Sequence, residues 1–229
     1  MNQNDLEQSL RRSICDIGRR MYAREMGAAN DGNISVKLDE ERLLCTPSGV
    51  SKGFMSPEIL CIVDYEGQVL DAHPEHSKPS SELKMHLRAY RERPDISAVV
   101  HGHPLYATAF AVCGKPLNQQ IMPEATISLG EVPVAPFALP STEDLPRSIA
   151  PYLASHDAVL LENHGAVTVG INLQAAYFKL ETLEFYAKVL HIANSMGGPN
   201  AFDEQTLEQL VNLRRDRFKK PGRHPLIDG

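Results

Sequence analysis

Strand-length apolar runs and helical segments are interleaved along this chain, and their order limits the folds that it can adopt. The runs 34–38 and 43–46 are short and contain branched apolar side chains, which favours β-strands. Residues 6–21 instead repeat apolar side chains every three or four positions, which predicts an amphipathic helix. Strands and helices do not alternate strictly, so the pattern indicates one α/β or α+β domain in which helices flank a central sheet.

Turn residues and prolines delimit the other predicted elements. Strands at 60–64 and 68–70 flank Tyr65-Glu66-Gly67 as in a hairpin. Ser141 and Asn172 are each expected to cap a helix. The remaining predicted strands are 96–100, 132–136 (at a sheet edge, because of its prolines), 158–161 and 166–169; the remaining predicted helices lie between Glu82 and Pro94 and at 105–112, 141–154, 172–196 and 204–219.

Composition narrows the class of protein. The chain has 229 residues, 42% hydrophobic and 23% charged, which suffices for one domain with a buried core. Its net charge of −6 argues against a nucleic-acid partner. No apolar run approaches the roughly 20 residues of a membrane span, and the polar N-terminus lacks the apolar core of a signal peptide. We therefore expect no membrane partner and a cytoplasmic protein with reduced cysteines, in which residues 1–220 form a single domain and residues 221–229 a flexible C-terminal tail.

Three histidines and one glutamate lie at the ends of predicted elements. His101 and His103 directly follow the apolar run 96–100, and positions i and i+2 of a strand point to the same side. Glu82 lies near the start of a predicted helix, and His164 lies in a turn between two apolar runs. Each residue alone has an ordinary structural explanation. Together they offer the ligand types that a divalent zinc ion prefers.

Three turn-forming stretches are candidate anion sites. Residues 30–33, residues 46–49 and the pair Ser80 and Ser81 combine small polar side chains with backbone N–H groups. The serine pair also precedes a helix, whose N-terminal dipole favours a phosphate. Each stretch alone is explained as a turn or a helix cap. The presence of three such stretches, one of them next to Glu82, indicates a small phosphorylated ligand.

The order of five short motifs resembles the class II aldolase/adducin-head family. The motifs are Gly32-Asn33-Ile34-Ser35, Thr46-Pro47-Ser48-Gly49, Lys78-Pro79-Ser80-Ser81-Glu82, His101-Gly102-His103 and Asn163-His164-Gly165. The resemblance covers about residues 5–215 and is strongest to the members that cleave L-fuculose 1-phosphate, with relatives that cleave 5-deoxyribulose or 5-methylthioribulose 1-phosphate. It implies a three-layer α/β fold with a central, mainly antiparallel β-sheet, and a homotetramer with active sites at subunit interfaces.

The resemblance also implies roles for individual residues. One Zn²⁺ per subunit is expected on Glu82, His101, His103 and His164. The phosphate of the sugar substrate is expected on Asn33, Ser48, Gly49, Ser80 and Ser81, with Asn30 as a further candidate. Glu82 is also expected to act as a general base once the substrate displaces it from the metal. The implied reaction is the reversible cleavage of a ketose 1-phosphate to dihydroxyacetone phosphate and an aldehyde.

The chain departs from the fuculose-phosphate members at the group that protonates the leaving aldehyde. Their tyrosine falls on Met122 here, counted back from residues 132–137, and Glu124 lies two residues further on. Related epimerases and a dehydratase carry an acidic residue in this region. Glu124 is therefore a candidate catalytic acid/base, and a solvated loop carboxylate is the alternative. The C-terminal tyrosine of those members has no counterpart in the basic segment 214–217 or at His224.

Three functions remain open at the level of sequence, and the first is a zinc-dependent sugar-phosphate aldolase. A glutamate at position 82 favours the aldolases, since the epimerases have aspartate there and the dehydratases lack the carboxylate. Met122 in place of a tyrosine favours a less hydroxylated aldehyde, as from a 5-deoxypentulose or 5-methylthioribulose 1-phosphate. The second function is a dehydratase, decarboxylase or 4-epimerase that uses Glu124. The third is a non-catalytic interaction module like the adducin head, which need not retain metal ligands.

Overall fold

The computed structural model describes residues 3–229, and within them eight strands form one sheet. The sheet order is β4-β3-β2-β1-β5-β8-β7-β6; β6 and β7 run parallel, and the other neighbouring pairs are antiparallel. The strands are β1 (Asn33–Lys37), β2 (Arg42–Cys45), β3 (Cys61–Asp64), β4 (Val69–Asp71), β5 (Ala98–Gly102), β6 (Val134–Ala135), β7 (Ala158–Leu161) and β8 (Gly165–Gly170). The expected three-layer α/β fold with a mainly antiparallel sheet is confirmed.

Helices cover both faces of this sheet. They are α1 (Gln3–Ala23), α2 (Leu83–Glu92), α3 (Leu105–Val112), α4 (Pro123–Ser128), α5 (Asp144–Ile149), α6 (Leu173–Ser195), α7 (Glu204–Asn212) and α8 (Pro225–Asp228), with short 3₁₀ turns and a π-helical turn, Leu213–Phe218, between them. Within residues 3–229, none of these helices has both the length and the hydropathy of a membrane span.

Two apolar clusters separate the layers. Side chains alternate along each strand, so Leu44 of β2 points into one cluster while Leu43 and Cys45 point into the other. The first cluster packs α1, α3 and α6 against the sheet, and the second packs α2 and α5 against the opposite face. The strand-end residues described below are therefore held by a sheet that is buried on both sides.

The predicted elements are present with two differences. Residues 123–128 form α4, a helix that the sequence pattern did not indicate, since a six-residue helix is too short to display a period. Ser141 does not cap a helix: it adopts a left-handed φ of 66°, and α5 begins at Asp144 without a side-chain cap. Asn172 does cap α6 as expected, and its Oδ1 accepts a hydrogen bond from the backbone N–H of Ala175 at 2.8 Å.

Residues 221–229, expected to form a flexible tail, make defined contacts in the structure. His224 is buried, and its Nε2 lies 2.7 Å from the carbonyl oxygen of Thr126 in α4. The buried Arg214 guanidinium donates to the carbonyl oxygen of Ile127 and to the carbonyl oxygens of residues 221–223. The segment thus packs against α4, because a buried guanidinium with several donors can hold several carbonyl groups at once.

Candidate active site

The ends of three central strands gather the histidines that the sequence singled out. Asn33 of β1 lies opposite His101 of β5, and β5 pairs on its other side with β8. His103 follows β5, and His164 lies in the turn between β7 and β8. That turn is tight because Asn163 adopts a left-handed φ of 54°, which asparagine tolerates better than most residues. Antiparallel pairing therefore brings His101 and His103 together with His164, about 60 positions later in the chain, at one end of the central strands.

The three imidazoles face one another. The side-chain nitrogens of His101, His103 and His164 that could bind a metal all lie within 4.8 Å of one another. The Nδ1 atom of His101 lies 2.9 Å from the carbonyl oxygen of Ala166, and the Nδ1 atom of His103 lies 3.3 Å from Oδ2 of Asp31. With Nδ1–H of His101 donated to Ala166, its Nε2 keeps a free lone pair. The Asp31 carboxylate beside Nδ1 of His103 favours a proton on that nitrogen electrostatically, which leaves Nε2 of His103 free as well.

Glu82 completes the cluster from the N-terminal end of α2, which it directly precedes. Its two carboxylate oxygens lie 3.0 Å from Nε2 of His164 and 3.2 Å from Nε2 of His101. Burial by itself raises the pKa of Glu82, but the imidazoles of His101 and His164 lower this pKa by more than burial raises it. The carboxyl group is therefore ionised at neutral pH, as a metal ligand or a general base must be.

These four side chains fit a divalent metal ion. The Nε2 atoms of His101 and His103 are 3.1 Å apart. Ligand atoms placed tetrahedrally at about 2.0–2.1 Å from a zinc ion are separated by about 3.3 Å. Burial and the neighbouring imidazoles lower the pKa of His103 to about 4, so this ring is neutral and able to bind a metal at pH 7. Three imidazoles and a carboxylate are also a donor set that suits zinc.

A polar cavity of about 190 Å³ adjoins the cluster. Two loops form its walls, because the backbone N–H of Ser48 donates to the carbonyl of Lys78 at 2.8 Å and that of Ser80 donates to the carbonyl of Thr46 at 3.1 Å. Gly49 has a left-handed φ of 75°, and no atom lies within 4 Å of the position that a side chain there would occupy. The lining includes every residue expected to bind phosphate: Asn30, Asn33, Ser48, Gly49, Ser80 and Ser81.

Three functional candidates at this site escaped the sequence analysis. Lys52 lines the cavity, and its buried Nζ donates to the carbonyl oxygens of Asn30 (at 2.8 Å) and Val50. Burial lowers the pKa of Lys52 to about 8. Asp31 orients His103, although the sequence indicated only a turn there. His86, which the sequence analysis did not single out, is buried behind Asn33; it lies four residues after Glu82, and that spacing was a usable signal.

Glu124 lies apart from the metal ligands of its own chain. It is exposed in the first turn of α4 and is absent from the residues that line the cavity beside Glu82. It borders a second groove of about 470 Å³ together with Met122, Glu181 and Phe185. A catalytic role for Glu124 in this chain's own cavity is therefore not supported by the geometry.

The family assignment follows from a comparison with known proteins. Residues 12–191 match the family model described as the Class II Aldolase and Adducin N-terminal domain. The chain belongs to this class II aldolase family. The match spans most of the chain and includes β1, β5 and the turn before β8, which carry Asn33 and the three histidines.

Curated relatives of this chain carry two different activities in their names. An L-fuculose phosphate aldolase from Methanococcus vannielii is 37% identical over 182 residues, which are 80% of this chain and 94% of the relative. A 3-oxo-tetronate 4-phosphate decarboxylase from Pectobacterium atrosepticum is 35% identical over 191 residues, which are 81% of this chain and 85% of the relative. A solved structure of L-fuculose 1-phosphate aldolase superposes with a TM-score of 0.80 at 28% identity, covering 93% of this chain and 97% of that chain.

Proposed function

We propose that this class II aldolase is a zinc-dependent enzyme that cleaves a ketose 1-phosphate to dihydroxyacetone phosphate and an aldehyde. One observation carries the proposal: the Glu82, His101, His103 and His164 cluster opens into a polar cavity lined by two loops of the kind that bind phosphate. A substrate with a phosphate at one end and adjacent carbonyl and hydroxyl oxygens has both features at a compatible spacing. The L-fuculose phosphate aldolase relative supports the same reaction.

The residues of the cluster have separable tasks in this reaction. A divalent cation held there supplies Lewis-acid stabilisation of negative charge on the substrate oxygens. In the cleavage direction a base takes the proton of the C4 hydroxyl, the C3–C4 bond breaks, and its electron pair passes to C3 and the adjacent carbonyl. The ionised Glu82 takes up a proton from solvent and delivers it to C3, while the other base releases the C4 proton to solvent; in the reverse direction Glu82 removes the proton from C3. The two loops hold the phosphate through the hydroxyls of Ser48, Ser80 and Ser81 and through the backbone N–H groups of Gly49 and Ser81, since those of Ser48 and Ser80 already bond across the loops.

We assign the C4 hydroxyl proton to Glu124 of a neighbouring subunit. Glu124 is exposed and does not line its own chain's cavity, so the site in which we place it is one that a second copy of the chain completes. This accords with the homotetramer and interface active sites that the family resemblance implies.

The substrate class that we favour has a less hydroxylated aldehyde end, as in 5-deoxyribulose or 5-methylthioribulose 1-phosphate, because Met122 borders the same groove as Glu124. We also propose that the protein is located in the cytoplasm.

A decarboxylase is the second candidate. The 3-oxo-tetronate 4-phosphate decarboxylase relative is nearly as similar as the aldolase relative, at 35% identity. Loss of carbon dioxide from a 3-oxo acid leaves the same kind of charge next to a carbonyl as aldol cleavage does, so the same cluster can serve both reactions. A dehydratase or a 4-epimerase that uses Glu124 is a further alternative on this scaffold.

Product analysis tests the proposal. The zinc-loaded protein is given L-fuculose, L-rhamnulose, 5-deoxyribulose and 5-methylthioribulose 1-phosphates, and release of dihydroxyacetone phosphate is measured beside an EDTA-treated control. We expect release that EDTA and His164→Ala both abolish, and fastest turnover of one of the last two substrates. Release of carbon dioxide from a 3-oxo acid 4-phosphate, with no dihydroxyacetone phosphate from any sugar, supports the decarboxylase instead.

A further inference from the structure

A chain of buried hydrogen bonds runs from the interior to Glu82. Nδ2 of Asn33 donates to Oε2 of Glu82 at 2.8 Å, and Oδ1 of Asn33 lies 2.6 Å from Nε2 of His86. Nδ1 of His86 lies 2.7 Å from Oγ of Ser35, which in turn lies 2.8 Å from the hydroxyl oxygen of Tyr90. Asn33, Ser35, His86 and Tyr90 are each at most 4% exposed. All polar side-chain atoms along this path thus have a partner.

The ionised carboxylate of Glu82, at one end of this chain of hydrogen bonds, fixes the direction of every hydrogen bond in it. A carboxylate only accepts hydrogen bonds, so the NH₂ group of Asn33 faces Glu82 and the amide oxygen faces His86. Nε2 of His86 must then carry a proton and donate it. Burial lowers the pKa of His86 to about 3, so the ring is neutral and its Nδ1 accepts from the hydroxyl of Ser35. Burial also raises the pKa of Tyr90, whose hydroxyl donates to Ser35.

We propose that His86 is a positioning residue which, through Asn33, fixes the orientation of the Glu82 carboxylate at the metal centre. The Nε2–H donor of His86 prevents the Asn33 amide from turning, because a turned amide would point its oxygen at the carboxylate. One oxygen of Glu82 is then held by Asn33, and the other faces His164. This inference rests on the metal-dependent function proposed above. It gives Asn33 a task at Glu82 in addition to the phosphate contact expected from the sequence.

Two observations favour a positioning role for His86 over space filling alone. Leucine would fill similar space without the cost of burying two ring nitrogens. His86 lies in α2, and Glu82 directly precedes this helix, so neighbouring parts of one element carry the ring and the carboxylate. Outer partners of this kind affect metal affinity by about 10–100-fold when removed.

The first test reads the tautomer of His86 without any turnover. Long-range ¹H–¹⁵N correlation spectra of the metal-free, ¹⁵N-histidine-labelled protein, assigned with His86→Gln, report which ring nitrogen of His86 carries the proton. We expect the neutral form protonated at Nε2, unchanged between pH 6 and pH 8. A ring protonated at Nδ1, or a ring that takes up a second proton in this range, overturns the proposal.

The second test compares zinc affinities by competition with a chelator. His86→Leu removes the donor, and we expect its zinc affinity to fall about 10–100-fold. His86→Gln keeps a donor at the same reach and is expected to stay within about threefold of the wild type; Tyr90→Phe, which leaves the His86, Asn33 and Glu82 contacts intact, is the matched control. The affinity for inorganic phosphate is expected to be the same in Tyr90→Phe as in the wild type.

Two results of the affinity test contradict the proposal. One is a folded His86→Leu protein that binds zinc like the wild type. The other is an equal loss of affinity in His86→Leu and His86→Gln, since that result reports packing and not the donor. If His86→Leu does not fold, the tautomer of the wild type and the affinity of His86→Gln decide. Neither measurement uses substrate, so a failure of the aldolase assignment leaves the outcome readable.

Discussion

Among the described residues 3–229, Lys52 is the only lysine or arginine that lines the cavity beside the histidine cluster. The carboxylates of Asp31 and Glu82 line the same cavity. The Lys52 ammonium is expected to counter the phosphate of the substrate. We predict that Lys52→Met weakens sulfate binding about tenfold at pH 7, because a charged hydrogen bond contributes about 1.5–3 kcal/mol. Equilibrium dialysis with labelled sulfate measures this, and Lys115→Met, at an exposed lysine outside the cavity lining, is the control.

The pKa of Lys52 sets the pH dependence of the same measurement. Since burial lowers this pKa to about 8, the ammonium is present below pH 8 and is lost as the pH rises through that value. Sulfate carries the same charge throughout, so wild-type affinity for it should be high at pH 7 and fall between pH 7.5 and 9. Lys52→Met should show a flat profile in that range. Parallel profiles in the two proteins would contradict a role for the Lys52 charge.

Glu124 supports a second prediction about a single residue. Proton transfer by a positioned carboxylate contributes about 10²–10⁴-fold to a rate. Glu124→Gln is therefore expected to lower kcat at least 100-fold while the zinc content stays at one ion per chain. Activity assays and metal analysis measure the two quantities, with Glu131→Gln at another exposed glutamate as the control. An unchanged kcat returns Glu124 to the role of a solvated surface carboxylate.

At the level of elements, sequence periodicity predicted the long helices and the strands but not the short connections. The apolar repeat of α1 extends from Leu6 to Met21, and α6 is 23 residues long after its Asn172 cap, whereas α4 has six residues and no period to detect. The grouping of the histidines was predictable because His101 and His103 follow a buried run and form an H-x-H motif; metal binding by this cluster stays a prediction. Lys52 and the tautomer of His86 were not, since both depend on contacts across two loops or two strands that sequence spacing does not show.

The C-terminal segment supplies a prediction at this scale. The buried His224 contacts the carbonyl oxygen of Thr126, whereas Leu226, two residues later, is 43% exposed. We predict that His224→Ala lowers the free energy of unfolding by about 1–3 kcal/mol, because the buried imidazole leaves a cavity and its hydrogen bond to Thr126 is lost, although the Thr126 carbonyl keeps the backbone N–H of Gly130. Leu226→Ala should change it by less than about 0.5 kcal/mol. Urea unfolding measures both, and equal stabilities would favour the flexible tail expected from the sequence.

At the scale of the whole molecule, helix α6 exposes a stripe of apolar side chains to solvent. Phe178, Phe185 and Ile192 follow one another at seven-residue steps, which places them on one face of the helix, and each is at least 45% exposed. Exposed apolar stripes of this kind mark protein contacts. Phe185 also borders the groove of Glu124, so the stripe and the candidate acid lie together.

This stripe predicts the effect of a charge on assembly. If the expected homotetramer forms through this stripe, Phe185→Glu should yield smaller species in light scattering, because association would bury the new carboxylate without a partner. Zinc content should persist, since the metal ligands lie elsewhere, while activity should fall. Phe218→Glu adds the same charge to an exposed phenylalanine outside the stripe and is expected to leave the mass unchanged. An unchanged mass for Phe185→Glu would place the subunit contact on another face.

The assignment of Glu124 to a neighbouring subunit predicts complementation between two inactive chains. Glu124→Gln keeps the metal ligands, and His164→Ala keeps Glu124, so a mixed oligomer contains sites built from one intact half of each. For random assembly in a closed ring, about one site in four combines the two intact halves, because each interface uses the same pair of surfaces. Coexpression of the two chains at equal levels should therefore restore about a quarter of wild-type activity, while mixing the purified oligomers without exchange restores none. No activity in coexpressed mixtures whose mixed composition is verified by mass spectrometry would mean that Glu124 does not act across the interface, and the proton of the C4 hydroxyl would need another acceptor.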